Sequence, residues 1–134
     1  MSFRLWIPLA MAGTLFACGS EMTGTAQEAR LQVAGHVRSS VNNASIAGAR
    51  VELWFAAFGQ PSRMLRATDT DVSGAFALEI GPPPGYAFPN CSTLHLEVSA
   101  SGFVLAPLVG IGAYDSPECR AGAVTVMILL APLP

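Results

Sequence analysis

The sequence contains no lysine: its seven basic residues are all arginine, against nine acidic ones, and charged residues fill only 12% of its 134 positions. Cations so few and so scattered cannot assemble the phosphate-neutralising patch that nucleic-acid binding requires, so no nucleic-acid partner is expected. With 51% hydrophobic residues the chain is not a disordered acidic or basic tail either. No apolar run reaches the ~20 residues of a membrane-spanning helix. Residues 5–14 fall short of it, and the run Val124 to Leu130 reads as a strand of the core. Helical periodicity is nowhere sustained long enough to establish a helix. The three cysteines include no C-x-x-C pair, the two histidines no H-x-x-E, and no G-x-S-x-G occurs. Those gaps remove paired-cysteine zinc sites, the zinc-carboxypeptidase ligand set and the serine-hydrolase elbow. The length suits one domain.

What is present begins with an address. Arg4 supplies a positive start, residues 5–14 are uncharged and mostly apolar, and Leu15-Phe16-Ala17-Cys18-Gly19 follows. This segment resembles the bacterial lipobox, with an aliphatic residue three places before the cysteine and a small one directly before it; Phe16 is bulkier than the pattern prefers. The resemblance implies that residues 1–17 are a signal peptide and that Cys18 is lipidated, making the membrane a partner through that anchor. Several acyl chains hold a protein firmly where one holds it only marginally. Gly19 stands where an aspartate often signals inner-membrane retention, which points to the outer membrane in a cell with two. Residues 18–29 are small and polar beyond the cysteine and read as a flexible tether reaching ~15–20 Å. The folded domain is expected over 30–134.

Export bears on the remaining cysteines, Cys91 and Cys119, an even pair in an oxidising compartment. They are expected to bond to each other, because metal ligation would need two further ligands from a chain whose histidines are only His36 and His95. Closing that loop restricts the unfolded chain by about 3.5 kcal/mol in the chain-entropy account.

From Arg30 the apolar residues recur with period two. Leu31, Val33 and Val37 alternate with polar neighbours, as do Val51, Leu53 and Phe55, and both runs predict half-buried strands. Residues 39–45 and 59–62 are rich in turn-formers. Further strands are expected at 64–70, 75–80, 94–98, 103–111 and 123–130, with Asp71-Val72-Ser73-Gly74 making a hairpin of the third and fourth and a loop over 112–122. The tract Gly81-Pro82-Pro83-Pro84-Gly85 cannot donate a ladder and reads as loop or sheet edge. About seven strands predict an all-β, two-sheet sandwich.

The order of these features resembles the carboxypeptidase regulatory-like domain, a transthyretin-like (prealbumin-like) β-sandwich. The residues that carry it are Val33-Ala34-Gly35-His36-Val37, Ile46-Ala47-Gly48-Ala49-Arg50-Val51-Glu52-Leu53, residues 67–78 across the Asp71 turn, and Val98-Ser99-Ala100-Ser101-Gly102-Phe103. The likeness spans roughly 30–104. It implies a fold and no ligand. Ile46 departs from the pattern where a proline often stands before the aliphatic residue.

Three sequence patterns test for chemistry. His95-Leu96-Glu97 matches the H-x-E of zinc deaminases, but their P-C-x-x-C is missing, and on an alternating strand the two side chains form an outward, solvated pair. Asp69-Thr70-Asp71-Val72-Ser73-Gly74 opens like an EF-hand loop, yet its twelfth position is Ile80 instead of glutamate, so a turn explains it. The transthyretin-like hydroxyisourate hydrolases end in Tyr-Arg-Gly-Ser, whereas this sequence closes on Ala131-Pro132-Leu133-Pro134. The sequence therefore predicts no enzyme, no metal and no cofactor. It points to an envelope protein for adhesion, structure or assembly, with an envelope protein as possible partner. The alternative is a module that captures a glycan or peptide on the exposed aromatics Trp54, Tyr86 and Phe88.

Overall fold

The computed structural model describes residues 30–81, 91–113 and 116–134. Seven strands form two sheets: β1 (Leu31–Ser39), β2 (Arg50–Phe55), β3 (Arg63–Asp69), β4 (Ala75–Ile80), β5 (Leu94–Ser99), β6 (Ala106–Gly110) and β7 (Ala123–Leu130), with a short helix α1 (Pro117–Ala121) before the last. One sheet has the order β4-β1-β7 and the other β3-β2-β5-β6. The fold is the expected all-β sandwich.

Alternation and register together build the core. Leu31 and Val33 of β1 lie beside Ile80 and Leu78 of β4 and Val37 beside Ile128 of β7, while Val51, Leu53 and Phe55 of β2 face Val98, Leu96 and Leu94 of β5. All are buried, and Val124, Ile128 and Leu130 of β7 join them. Because the side-chain period is two, a one-residue slip of any of these strands would turn its apolar set outward, which fixes the register. β1 pairs antiparallel with β4 and parallel with β7. Along that parallel ladder Gly35 lies opposite Val126, and a Cβ on Gly35 would fall within the van der Waals radius of the Val126 carbonyl oxygen.

The Asp71 turn forms, but it does not make a hairpin. β3 and β4 belong to different sheets, so residues 70–74 are a corner that carries the chain from one layer to the other. The physical reason is a set of bonds to both layers. Thr70 is tied to the β1–β2 loop, while the Gly74 carbonyl accepts from the Val37 amide at 2.8 Å, which delivers β4 to the edge of β1. Asp71 Oδ1 accepts from Ser73 Oγ (2.7 Å), Ser73 N (2.9 Å) and Ala75 N (3.0 Å). Gly74 takes the left-handed conformation that the corner needs, at φ 78°.

The Ser73 hydroxyl, with the two amides, holds the Asp71 carboxyl below the ordinary carboxylate range. A depressed folded pKa contributes stability that is complete above the unfolded value and is lost as the pH falls through the folded one. The melting temperature should thus be flat above pH ~5 and drop on acidification. Asp71→Asn, which keeps an oxygen acceptor but cannot titrate, should lower stability at neutral pH and shrink that acid-side drop, as followed by thermal melts between neutral and acidic buffers.

The stretch 112–122, expected as loop, contains α1. Ser116 Oγ caps it by accepting from Cys119 N at 3.3 Å, Pro117 occupies its first turn, and Gly122 ends it at φ 82°. Cys119 sits in this helix and Cys91 in the 3-10 turn before β5, and the two are bonded, as their number and setting predict. The bond joins the entry of β5 in one sheet to the entry of β7 in the other, with both cysteines buried.

Candidate functional site

One end of the sandwich is shaped by the β1–β2 loop and the β5–β6 connection. In the first loop Asn43 adopts a left-handed conformation, Ser39 Oγ accepts from Val41 N, and Asn42 Oδ1 accepts from Ala44 N at 3.0 Å. In the second, Phe103 N donates to the Ala100 carbonyl, and the Gly102 carbonyl accepts from Leu133 N at 2.9 Å. Between them lies a cavity of about 510 Å³ whose lining includes Asn42, Ser45, Ile46, Ser101, Phe103 and Pro132. That volume is within the ~300–1,000 Å³ of small-molecule sites. None of its lining side chains is charged. It therefore offers an apolar floor with hydroxyl and amide groups and no ionic contact.

Thr70 shapes the floor from behind. Its buried hydroxyl donates to the Ile46 carbonyl at 2.6 Å and accepts from Ala49 N at 2.8 Å, while Gly48 N donates to the Thr70 carbonyl. Thr70→Val keeps the shape but leaves a buried amide and a buried carbonyl each short of a partner. It should cost about 1–3 kcal/mol in urea unfolding, and Thr70→Ser should recover most of that.

The sequence singled out other residues. Trp54 lies on the outer face of the four-stranded sheet, at the far end of β2 from the cavity, opposite His95 on β5 and Met64 on β3. It is half-buried, and its indole Nε1 donates to Glu52 Oε1 at 3.0 Å. Arg50 Nε donates to Glu52 Oε2 at 2.7 Å, and these two bonds hold the Glu52 carboxyl below its usual range. His95 Nε2 stands 3.8 Å from Glu97 Oε2, with its side chain only 14% exposed, so it is more covered than a solvated pair implies. Cys18, Tyr86 and Phe88 lie outside the described residues. Sequence reasoning missed the cavity residues Asn42, Ser45 and Ser101. Their signal was there as the turn-forming letters of both loops, but turn chemistry explains those letters before any ligand does.

A smaller concavity of about 310 Å³ lies where the edges of β3 and β4 meet, lined by Arg30, Arg66 and Glu79 among others. Arg30 and Glu79 form an exposed pair across it at 3.2 Å.

A two-layer sandwich of three and four strands is the class of protein this geometry defines. No family model matches the sequence, and no curated protein matches it. Solved structures share its fold. The dioxygenase domain of a dioxygenase and carbohydrate-binding protein fusion from the cellulolytic bacterium Streptomyces sp. SirexAA-E matches with TM-score 0.54 and 17% identity, over 94% of this chain and 98% of that one. The intradiol ring-cleavage dioxygenase of Tetranychus urticae matches with TM-score 0.52 and 15% identity, over 80% and 83%. For 3-chlorocatechol 1,2-dioxygenase from Rhodococcus opacus the values are 0.53 and 17%, over 80% of this chain and 62% of the enzyme. The chain spans only 18% of a Cyanothece 9R-lipoxygenase that also matches. At these identities the shared property is the sandwich.

These matches correct the expectation that the chain is not an enzyme. Ring-cleaving dioxygenases are built on the same sandwich, so a sandwich without a recognised sequence motif gives no ground for excluding catalysis. Oxygen-activating sites commonly gather histidines and a carboxylate around a metal. Among the described residues no group of three or more His, Cys, Asp or Glu side chains is placed to hold one, and His36 and His95 belong to different sheets. These donors do not fit such a centre.

Proposed function

We propose that this chain is a lipid-anchored protein of the bacterial cell envelope, on the outer membrane where there are two, whose carboxypeptidase regulatory-like sandwich serves adhesion, structure or assembly. The observation that carries this reading is the Cys91–Cys119 bond, which belongs to an oxidising compartment and so supports export. The lipobox-like run ending at Cys18 supplies the anchor, and residues 18–29 supply the reach. Globomycin-type inhibition of lipoprotein signal cleavage and metabolic labelling with a fatty acid test it together. Label should enter the wild-type chain and be absent from Cys18→Ser. Equal labelling of both, or cleavage of the wild type without label, would sink the anchor.

A second reading, capture of a neutral glycan or an uncharged peptide segment, is favoured by the uncharged loop-end cavity. It moves the binding site away from Trp54. Ser101→Trp, which places a large ring on the cavity lining, should weaken binding on glycan or peptide arrays at least tenfold, a loss of about 1.4 kcal/mol. Trp54→Ala should leave it unchanged; the reverse result would restore the aromatic surface. The same preparations are assayed for cleavage of catechol, the substrate class that the structural neighbours' names carry, and turnover would move the assignment to catalysis.

A further inference from the structure

We propose that the side of the sandwich formed by β6 and β7 is an interface between two copies of this chain, with β7 pairing antiparallel to β7 of the second copy about a twofold axis. The first observation is electrical. Residues 102–113 and 121–134 contain no charged side chain, although they make up most of the last third of the sequence. The second is that the fold brings them to one side. β6 and β7 are edge strands of opposite sheets, and the Phe103–Pro132 bridge, with Val104 N donating to the Ala131 carbonyl at 2.8 Å, ties the segment before β6 to the one after β7. Of the ten large apolar side chains exposed among the described residues, Val104, Leu105, Leu108, Met127, Leu129 and Leu133 lie on these segments. The other four, Val41, Phe58, Met64 and Val72, lie elsewhere, and of the six Met127 and Leu129 stand on the outward face of β7 itself, beside its open edge.

The other sheet edges carry the devices that discourage pairing. β3 presents Arg63, Arg66 and Asp69 and has a register shift against β2, β4 carries Glu79 in its pair with Arg30, and β6 is short and contains Pro107. β7 has none of them. It is eight residues long, Ala-Val-Thr-Val-Met-Ile-Leu-Leu, without charge, proline or glycine, and Met127 and Leu129 are 57% and 54% exposed. Its outer ladder groups have no strand beside them among the described residues.

The chemistry selects the occupant. A bilayer would leave the polar groups of an open edge without partners, and this side offers no lysine or arginine to anionic headgroups. A charged partner would find no counter-charge. A second copy supplies an uncharged strand of the same length and satisfies both backbones. Pairing centred on Met127 places Thr125 of each copy opposite Leu129 of the other and extends the three-stranded sheet to six strands.

The test is sedimentation equilibrium of the full chain in density-matched detergent at micromolar concentration. A dimer is expected for the wild type, and a monomer with unchanged β-type circular dichroism for Met127→Lys. Should that variant not fold, Met127→Cys provides the readout instead: under mild oxidation it should cross-link to its own copy, and Phe58→Cys, on an exposed loop, should not. A monomeric wild type, a dimer that survives Met127→Lys, or equal cross-linking at both positions would overturn the proposal. So would a monomer of Cys18→Ser that co-sediments with neutral phosphatidylcholine vesicles, an outcome that assigns this side to the bilayer.

Discussion

Gly35→Ala should lower the melting temperature of the sandwich by roughly 10–20 °C, corresponding to about 3 kcal/mol of overpacking in a domain of this size. The added methyl group would meet the Val126 carbonyl oxygen, which is backbone and cannot swing aside as a side chain would. β1 lies between β4 and β7, so relief by movement on one side disturbs the pairing on the other. Differential scanning calorimetry measures the effect. A shift within 2–3 °C of wild type, a stability change of under ~1 kcal/mol, would mean that β7 yields locally and that the parallel ladder is softer than its register suggests.

Cys91→Ala combined with Cys119→Ala should cost about 2–4 kcal/mol and lower the melting temperature by a comparable amount, while the far-ultraviolet β signal is kept. The strands persist because neither cysteine lies in a strand; what loosens is the joint between the entries of β5 and β7. Both side chains are buried, at 0% and 1% exposure, so a reductant should not reach the bond in the native state. Thiol titration should find neither of these two sulfurs without denaturant. Reduction at the same rate with and without denaturant would place the bond at the surface and contradict this packing.

The strands were the most legible part of the sequence, for a physical reason. A half-buried strand must alternate, and Phe76-Leu78-Ile80 and Leu94-Leu96-Val98 do so without interruption, while Leu31, Val33 and Val37 do so with only Gly35 in the gap. β6 was blurred, because an edge strand with Pro107 and Gly110 has too little burial to impose a pattern, and it covers only part of the stretch expected. α1 was missed because five residues are too few for helical periodicity. Ser116, Pro117 and Gly122 nonetheless spell out a capped helix to a reader who looks for ends instead of faces. The Asp71 corner was misread because the same four turn letters serve a hairpin or a change of layer, and only the distant bond from Val37 decides between them. The cavity was not legible at all. It arises where the β1–β2 loop, which crosses from one sheet to the other, approaches the β5–β6 connection, and no spacing within either records the other.

The parallel ladder between β1 and β7 joins strands from the two ends of the described chain. Every other strand lies between them in sequence, so loop closure for that ladder carries the largest entropic cost of any pairing in the fold. Such non-local pairing slows folding toward the millisecond-to-second range of β-sandwiches. It also means that β1, the middle strand of its sheet, is left with one open side until the last strand arrives. For a chain that crosses a membrane unfolded, that delay would keep it in a threadable state; for one released before β7 is in place, it would leave a strand edge exposed to any neighbour able to pair with it.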